Sequence, residues 1–272
     1  MDGDKKTDLI VSLEWGGIIA FMNKGSGFEQ KQLTEKSGWW NFVLPADLNG
    51  DGHMDFVCGN LGLNSRLSAS ETHPVKLYYN DFDDNGKKEQ LLTYFLNDRE
   101  LPFASISELQ KQMPQLKRKF LYASNFARAS LQDIFTSDKL DNAMVWKADY
   151  FSNAILMNDG KNNFTVQAMP WRAQLSSYRD AMVVDANGDN LPDVLLVGNY
   201  YENNIDMGRY DADYGSLLVN NGSGGFAYHQ LNGVAIPGQS RRVQRLMIGN
   251  TEAFVIARNN DSAVVISFQK NN

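Results

Sequence analysis

Oxygen-bearing side chains recur at alternate positions in three short stretches of the chain. Asp47, Asn49, Asp51 and Asp55 occupy positions 1, 3, 5 and 9 of the first, Asp81, Asp83, Asn85 and Glu89 those of the second, and Asp185, Asn187, Asp189 and Asp193 those of the third. Position 7, held by His53, Lys87 and Leu191, offers its main-chain carbonyl. Such a donor set suits Ca²⁺, a hard cation that takes six to eight oxygens. Gly52 and Gly86 at position 6 allow the sharp turn, and Asn190 replaces them in the third loop because asparagine enters the left-handed region more readily than most residues. Two to three structural Ca²⁺ ions are therefore expected. Three would offset the formal charge of −6.

The elements that must position these loops are strands. Each loop runs into a β-prone apolar segment: Phe56-Val57-Cys58, Leu91 to Leu96, and Val194 to Val197. An EF-hand is excluded, because its loop closes at position 12 and leads into a helix. Asn-rich turns before a phenylalanine repeat at Asn23 to Gly27, Asn158 to Gly160 and Asn220 to Gly222, each the mark of a hairpin. Internal repetition of loop, strand and hairpin calls for a repeat architecture. Taken consecutively, the strands at Phe42 to Leu44, Phe56 to Gly59, Val75 to Tyr79 and Leu91 to Leu96 make one four-stranded blade. Those at Ala143 to Lys147, Ala154 to Met157 and Phe164 to Ala168 belong to the next, whose Asp138 and Asp141 lack the alternate spacing and carry no metal assignment. A fourth unit surrounds Asp185 to Asp193, and the last, from Val243 to Phe268, is one strand short. At the N-terminus, aligning Asp8 with Asp55 sets Asp4 against Asp51, Asp2 against Asn49 and Lys5 against Gly52. The chain thus opens inside a loop of the same kind, its first ligand missing, which reads as a portion of a longer protein.

Between about 103 and 135 the β pattern gives way to Ile106, Leu109, Met113, Leu116 and Phe120, spaced as one helical face. This predicts a helical insert, with Ser105, Ser107 or Ser124 as N-caps and a break or second start at Pro114. Its Lys111, Lys117, Arg118, Lys119 and Arg128 read as a solvated face.

The 272 residues suffice for one domain, with 43% hydrophobic residues and no apolar run long enough to span a membrane. The acidic balance argues against nucleic acid. Cys58 lies in a strand pattern and reads as a buried hydrophobe. Met1 is followed directly by Asp2-Gly3-Asp4-Lys5-Lys6, without the apolar core of a signal peptide. Loops of this kind fill at extracellular calcium levels, which points to an extracytoplasmic location, secreted, periplasmic or on the cell surface.

Strand, Asp-x-Asp/Asn-x-Asp-Gly-x-x-Asp loop, strand and Asn-x-Gly hairpin together resemble FG-GAP and VCBS repeats, the blades of integrin α-subunit propellers. The stretches Gly208 to Ala212 and Ala257 to Asp261 are similar to bacterial proteins of the ASPIC/UnbV-related group. The resemblance implies an all-β chain, a β-propeller with about five recognisable blades within residues 1–272, interrupted by the helical insert and forming either a ring or part of a larger one. It also implies a structural role for the ions. The expected function is a noncatalytic interaction or scaffold module for a protein or glycan partner. The alternative is a glycan-binding or glycan-processing propeller, suggested by Trp15, Trp39, Trp40, Trp146, Trp171 and Tyr200-Tyr201, with Asp180, Glu202 and Asp206 as available carboxylates. His53, His73 and His229 show no metal spacing, and no nucleophile motif or phosphate-binding loop is present.

Overall fold

Alternating apolar residues and Asn-Gly turns produce antiparallel sheets throughout the computed structural model, which describes residue 1 and residues 3–269. The first sheet holds β1 (Leu9–Ser12), β2 (Glu14–Asn23) and β3 (Phe28–Trp39) in that order. The second begins with β4 (Phe42–Ala46) and β5 (Asp55–Gly59), whose register runs from Ala46 opposite Asp55 to Phe42 opposite Gly59, so the first acidic loop is the connection between them.

The chain then enters a separate compact unit, residues 67–150. It contains β6 (Val75–Asn80), β7 (Glu89–Leu96) and β8 (Arg99–Pro102). Five short helices follow: α1 (Ile106–Gln112), α2 (Leu116–Lys119), α3 (Ala123–Arg128), α4 (Leu131–Ile134) and α5 (Ser137–Asp141). The strand β9 (Met144–Ala148) closes the unit, and the sheet order is β8-β7-β6-β9. Its core sets Tyr78, Phe82 and Leu91 against Leu109, Met113, Leu116 and Phe120, the expected helical face, together with Leu131 and Ile134. Pro114, with no N–H to donate, separates α1 from α2. Ser105 caps α1 in a capping box with Glu108, whereas Ser124 lies within α3 rather than at its cap.

After this excursion the chain returns to the second sheet. β10 (Ala154–Asn158) pairs with β5 and β11 (Phe164–Ala168) completes the order β11-β10-β5-β4. This corrects the consecutive grouping of strands. Phe56, Val57 and Cys58 pair with Leu156, Ile155 and Ala154, not with Val75 to Tyr79, and Ala143 to Lys147 belong to the other unit's sheet. β5 is buried at every position and requires an apolar neighbour on its open edge. Which later strand supplies it is a nonlocal choice that spacing does not encode.

A short 3₁₀ turn at Trp171–Gln174 leads to the next sheet, in the order β12 (Tyr178–Val184), β13 (Asp193–Gly198), β14 (Ser216–Asn220) and β15 (Phe226–Gln230). The second acidic connection of this unit joins β12 to β13. The last sheet is β16 (Gln239–Ile248), β17 (Thr251–Asn259) and β18 (Val264–Ile266). The described residues thus give three strands to the first and last sheets and four to the others.

Residues 1–66 and 151–272 form one compact unit. Within it, Phe42, Val57 and Ile155 of the second sheet, with Leu48 of its acidic loop, pack against Tyr178, Ala181, Val194 and Leu218 of the β12–β15 sheet. The opposite side of the β12–β15 sheet, with Val184, Leu195 and Val197, packs against Val243, Phe254, Ile256 and Ile266 of the last. β13 therefore reads as a continuous buried run, since both its faces are covered. Full burial of each such large aliphatic or aromatic side chain contributes about 1.5–3 kcal/mol.

Candidate metal-binding loops

The three acidic loops share one local geometry. In the loop of residues 47–55, Asp47 at position 1 accepts the N–H groups of Gly50 at 2.8 Å and Gly52 at 3.0 Å. Asn49 Oδ1 accepts from Asp51 N–H, and Asp51 Oδ1 from His53 N–H. The loop of residues 185–193 repeats three of these four bonds, from Gly188 to Asp185, Asp189 to Asn187 and Leu191 to Asp189. In the loop of residues 81–89, Asp81 accepts from Asn85 and Gly86, and Asn85 accepts from Lys87. In all three loops the position-1 carboxylate turns back over the loop to accept backbone N–H groups. Left-handed backbone at positions 4 and 6 makes this possible: φ is +74° and +83° at Gly50 and Gly52, +60° and +83° at Asp84 and Gly86, and +83° and +65° at Gly188 and Asn190. Gly3 at +80° and Lys5 at +64° follow the same course in the N-terminal loop, while Asp2 lies outside the described residues.

Position 9 is different. Asp55 and Asp193 are fully buried and Glu89 nearly so. Asp55 Oδ2 accepts the N–H of Leu48 at position 2, and its Oδ1 that of Asn158 at 2.8 Å. Asp193 does the same with Ala186 and Asn220, and Glu89 holds Phe82 at position 2. Even Asp8 conforms, taking the terminal amino group of Met1 at 2.7 Å and the N–H of Asn23 at 2.8 Å. Burial raises the pKa of Asp55, Glu89 and Asp193; the accepted N–H groups oppose this, and the other carboxylates of the same loop raise it further. At Asp51 the N–H of His53 and the Asn49 amide lower it. The loops thus concentrate negative charge that a cation would relieve.

Residues 1–58 match the family model described as an FG-GAP-like repeat. That stretch is similar to an FG-GAP-like repeat. The match spans β1 to β4 and reaches into β5, so it covers the loop of residues 47–55 and the N-terminal stretch that precedes β1. No curated protein matches the chain.

Of the three acidic loops, that of residues 81–89 has the side chains that best suit an oxygen-seeking cation. Ligand oxygens of Asp81, Asp83 and Glu89 all lie within 4.8 Å of one another, a grouping that no other set of His, Cys, Asp or Glu attains among the described residues. Asp83 Oδ1 is buried with no hydrogen-bond partner, an orphaned acceptor of the kind a cation satisfies. Lys139 Nζ partly balances the charge through the carbonyl of Asp81 and the carboxylate of Asp84. In the other two loops the position-3 amide donates to the position-5 carboxylate, Asn49 to Asp51 at 2.9 Å and Asn187 to Asp189 at 2.8 Å. In those two loops position 3 is an asparagine, so positions 1, 3 and 9 offer two carboxylates where the loop of residues 81–89 offers three.

The ring of His53 at position 7 is packed against another turn. A Cβ at Gly160, where φ is +76°, would come within 2.9 Å of His53 Nε2, so the imidazole lies over the Asn158 hairpin. The hairpin asparagines themselves were not anticipated as partners of the loops. Asn23, Asn158 and Asn220 give their backbone N–H to the position-9 carboxylate while their Oδ1 atoms accept from Gly25, Gly160 and Gly222. The signal was present in the recurring Asn-x-Gly phrase, which had been assigned to turn formation alone.

Among the aromatic candidates, Trp40 is core and Trp171 is exposed on its 3₁₀ turn. Asp180 links strands, accepting the N–H of Val243 at 2.9 Å, and Glu202 accepts from Asn259 at 2.7 Å. Among the described residues, no helix is long and apolar enough to cross a membrane.

Proposed function

We propose that this chain is a calcium-stabilised β-propeller segment that acts as a noncatalytic interaction module outside the cytoplasm. The observation that carries the reading is the orphaned, buried Asp83 Oδ1 beside Asp81 and Glu89. The common winding of the other two loops extends it to two or three ions. In this reading Asp81, Asp83, Asn85 and Glu89, with the carbonyl of Lys87, hold the first ion; Asp47, Asn49, Asp51, Asp55 and the His53 carbonyl hold a second; and Asp185, Asn187, Asp189, Asp193 and the Leu191 carbonyl hold a third. Each ion neutralises crowded carboxylates and ties a strand connection, which is structural work. The module meets its partner through the connections between strands, and an extracellular calcium level saturates sites of this class.

Calcium titration with thermal unfolding tests this. Ca²⁺ is expected to raise the melting temperature of EDTA-treated protein by several degrees, and Asp83→Asn to reduce that gain. Superimposable melting curves with and without Ca²⁺ would sink the proposal.

A further inference from the structure

Four buried side-chain atoms lack a hydrogen-bond partner among the described residues, and three of them, Trp39 Nε1, Arg179 Nε and Asn203 Nδ2, belong to residues that line a single concavity. All three are donors. They come from β3, from β12 and from the irregular connection after β13, so no local motif unites them. Buried donors are almost always matched, and each unmatched one marks either an omitted partner or a place for one.

The concavity adds two further signs. Arg179 has no ion-pair partner among the described residues. Its Nη1 donates to Asn41 Oδ1 at 2.7 Å, and its guanidinium lies 4.3 Å from the Tyr200 ring centroid, with that of Arg241 5.5 Å from the same ring. Burial, and then the charge of Arg241, pull its pKa below the usual guanidinium value. Trp15, another wall residue, holds φ at +60°, a left-handed conformation that a bulky aromatic residue adopts only where its surroundings impose it. Its ring meets Trp39 edge-on with centroids 5.2 Å apart.

The donors and a cation without an ion-pair partner select a carboxylate, which accepts at two oxygens. The aromatic wall selects a ligand with an apolar ring face. The volume of about 230 Å³ admits one such ring and falls below the range of about 300–1,000 Å³ for larger ligands. Glu14, the carboxylate of the lining, disfavours a bare inorganic anion and suits a ligand that also brings hydroxyl donors. We propose that this concavity binds a sugar acid, a hexuronate, through Arg179, Trp39 and Asn203. The site goes beyond the scaffold role and does not depend on calcium.

Calorimetric titration of the whole chain with D-glucuronate, D-glucose and N-acetyl-aspartate tests the assignment. Glucuronate is expected to bind, and glucose at least about tenfold more weakly, because its hydroxyls can accept from the donors but bring no charge to match the cation. Arg179→Gln and, independently, Asn203→Ala on its surface connection should each lower glucuronate affinity about tenfold. Arg179→Gln should leave the melting temperature unchanged or higher, since it removes a buried unpaired charge; a purely structural arginine would lower it. Absence of glucuronate binding up to about 10 mM overturns the proposal. Affinity unchanged in both variants does the same, and tighter binding of N-acetyl-aspartate would overturn the sugar-acid class.

Discussion

Asp55 and Asn158 are 103 positions apart in the chain, and the Oδ1 of the first accepts the backbone N–H of the second at 2.8 Å. The whole of residues 67–150 lies between them in sequence. The bond anchors the first acidic loop to the hairpin that completes the same sheet, and Asp193 with Asn220 repeats it in the next sheet. The position-9 carboxylate is therefore a clamp between two connections of one sheet as well as a candidate ligand.

Removal of the clamp should be costly without any metal. Asp55→Ala strands two buried N–H groups, those of Leu48 and Asn158, at about 1–3 kcal/mol each. Urea unfolding in EDTA is expected to show a loss on the order of 3 kcal/mol, with Asp55→Asn losing less because its amide oxygen still accepts one bond. An unchanged midpoint for Asp55→Ala would mean that the clamp contributes nothing.

Gly52→Ala isolates the turn from the ligands. Its φ is +83°, and a Cβ there would meet nothing within 4 Å, so the penalty is conformational only, about 1–2 kcal/mol. Gly160→Ala should cost more, since the same left-handed penalty is joined by contact with His53 at 2.9 Å. Lys5→Gly, at φ +64°, should be neutral or stabilising. Equilibrium denaturation of the three variants checks the order; Gly160→Ala more stable than Gly52→Ala would contradict it.

The loops and hairpins were legible in the sequence because everything that defines them is local. Alternate acidic residues, a left-handed position 6 and a following β-branched run all lie within about a dozen residues. Even the departures, Lys5 and Asn190, take the backbone that their alignment demands. The partnership of β5 with β10 was not legible, since Phe56-Val57-Cys58 is as compatible with Val75 to Tyr79 as with Ala154 to Leu156 until both neighbours are placed in space. The convergence of Trp39, Arg179 and Asn203 is harder still. Each is ordinary in its own segment, and only tertiary burial turns three donors into one site.

Asp213 makes stability fall with pH over a defined window. The carboxyl is wholly buried, and burial raises its pKa from 3.8 to about 6 against the opposing bonds from Ser216 and Gly215. Between these values the folded protein holds a proton that the unfolded chain has released, so ΔG of unfolding declines as pH rises through about 4 to 6, by at most about 1.4 kcal/mol per unit. Asp213→Asn keeps an acceptor for Ser216 and has no charge to bury. Relative to the parent, the variant should become steadily more stable as pH rises across that window and hold a constant advantage above it. Parallel stability curves for the two proteins from pH 4 to 7 would refute the assignment.

Cys58 reports on the opening of the sheet that Asp55 clamps. Its thiol is fully buried, burial pushes its pKa far up, and its Sγ lies 3.7 Å from the carbonyl of Phe56 on the same strand. Reaction requires thiolate and access, and the native strand offers neither. A disulfide reagent such as dithionitrobenzoate should therefore label the folded protein only through opening of β4, β5 and β10, and label it fully in urea. Where reclosing outpaces labelling, the rate follows the population of the open form, about tenfold for each 1.4 kcal/mol. Asp55→Ala should accordingly accelerate labelling by the factor that its loss of stability dictates. Rapid labelling of the untreated protein would place the thiol outside the core, and a labelling rate indifferent to Asp55→Ala would mean that the clamp and the strand beside it open independently.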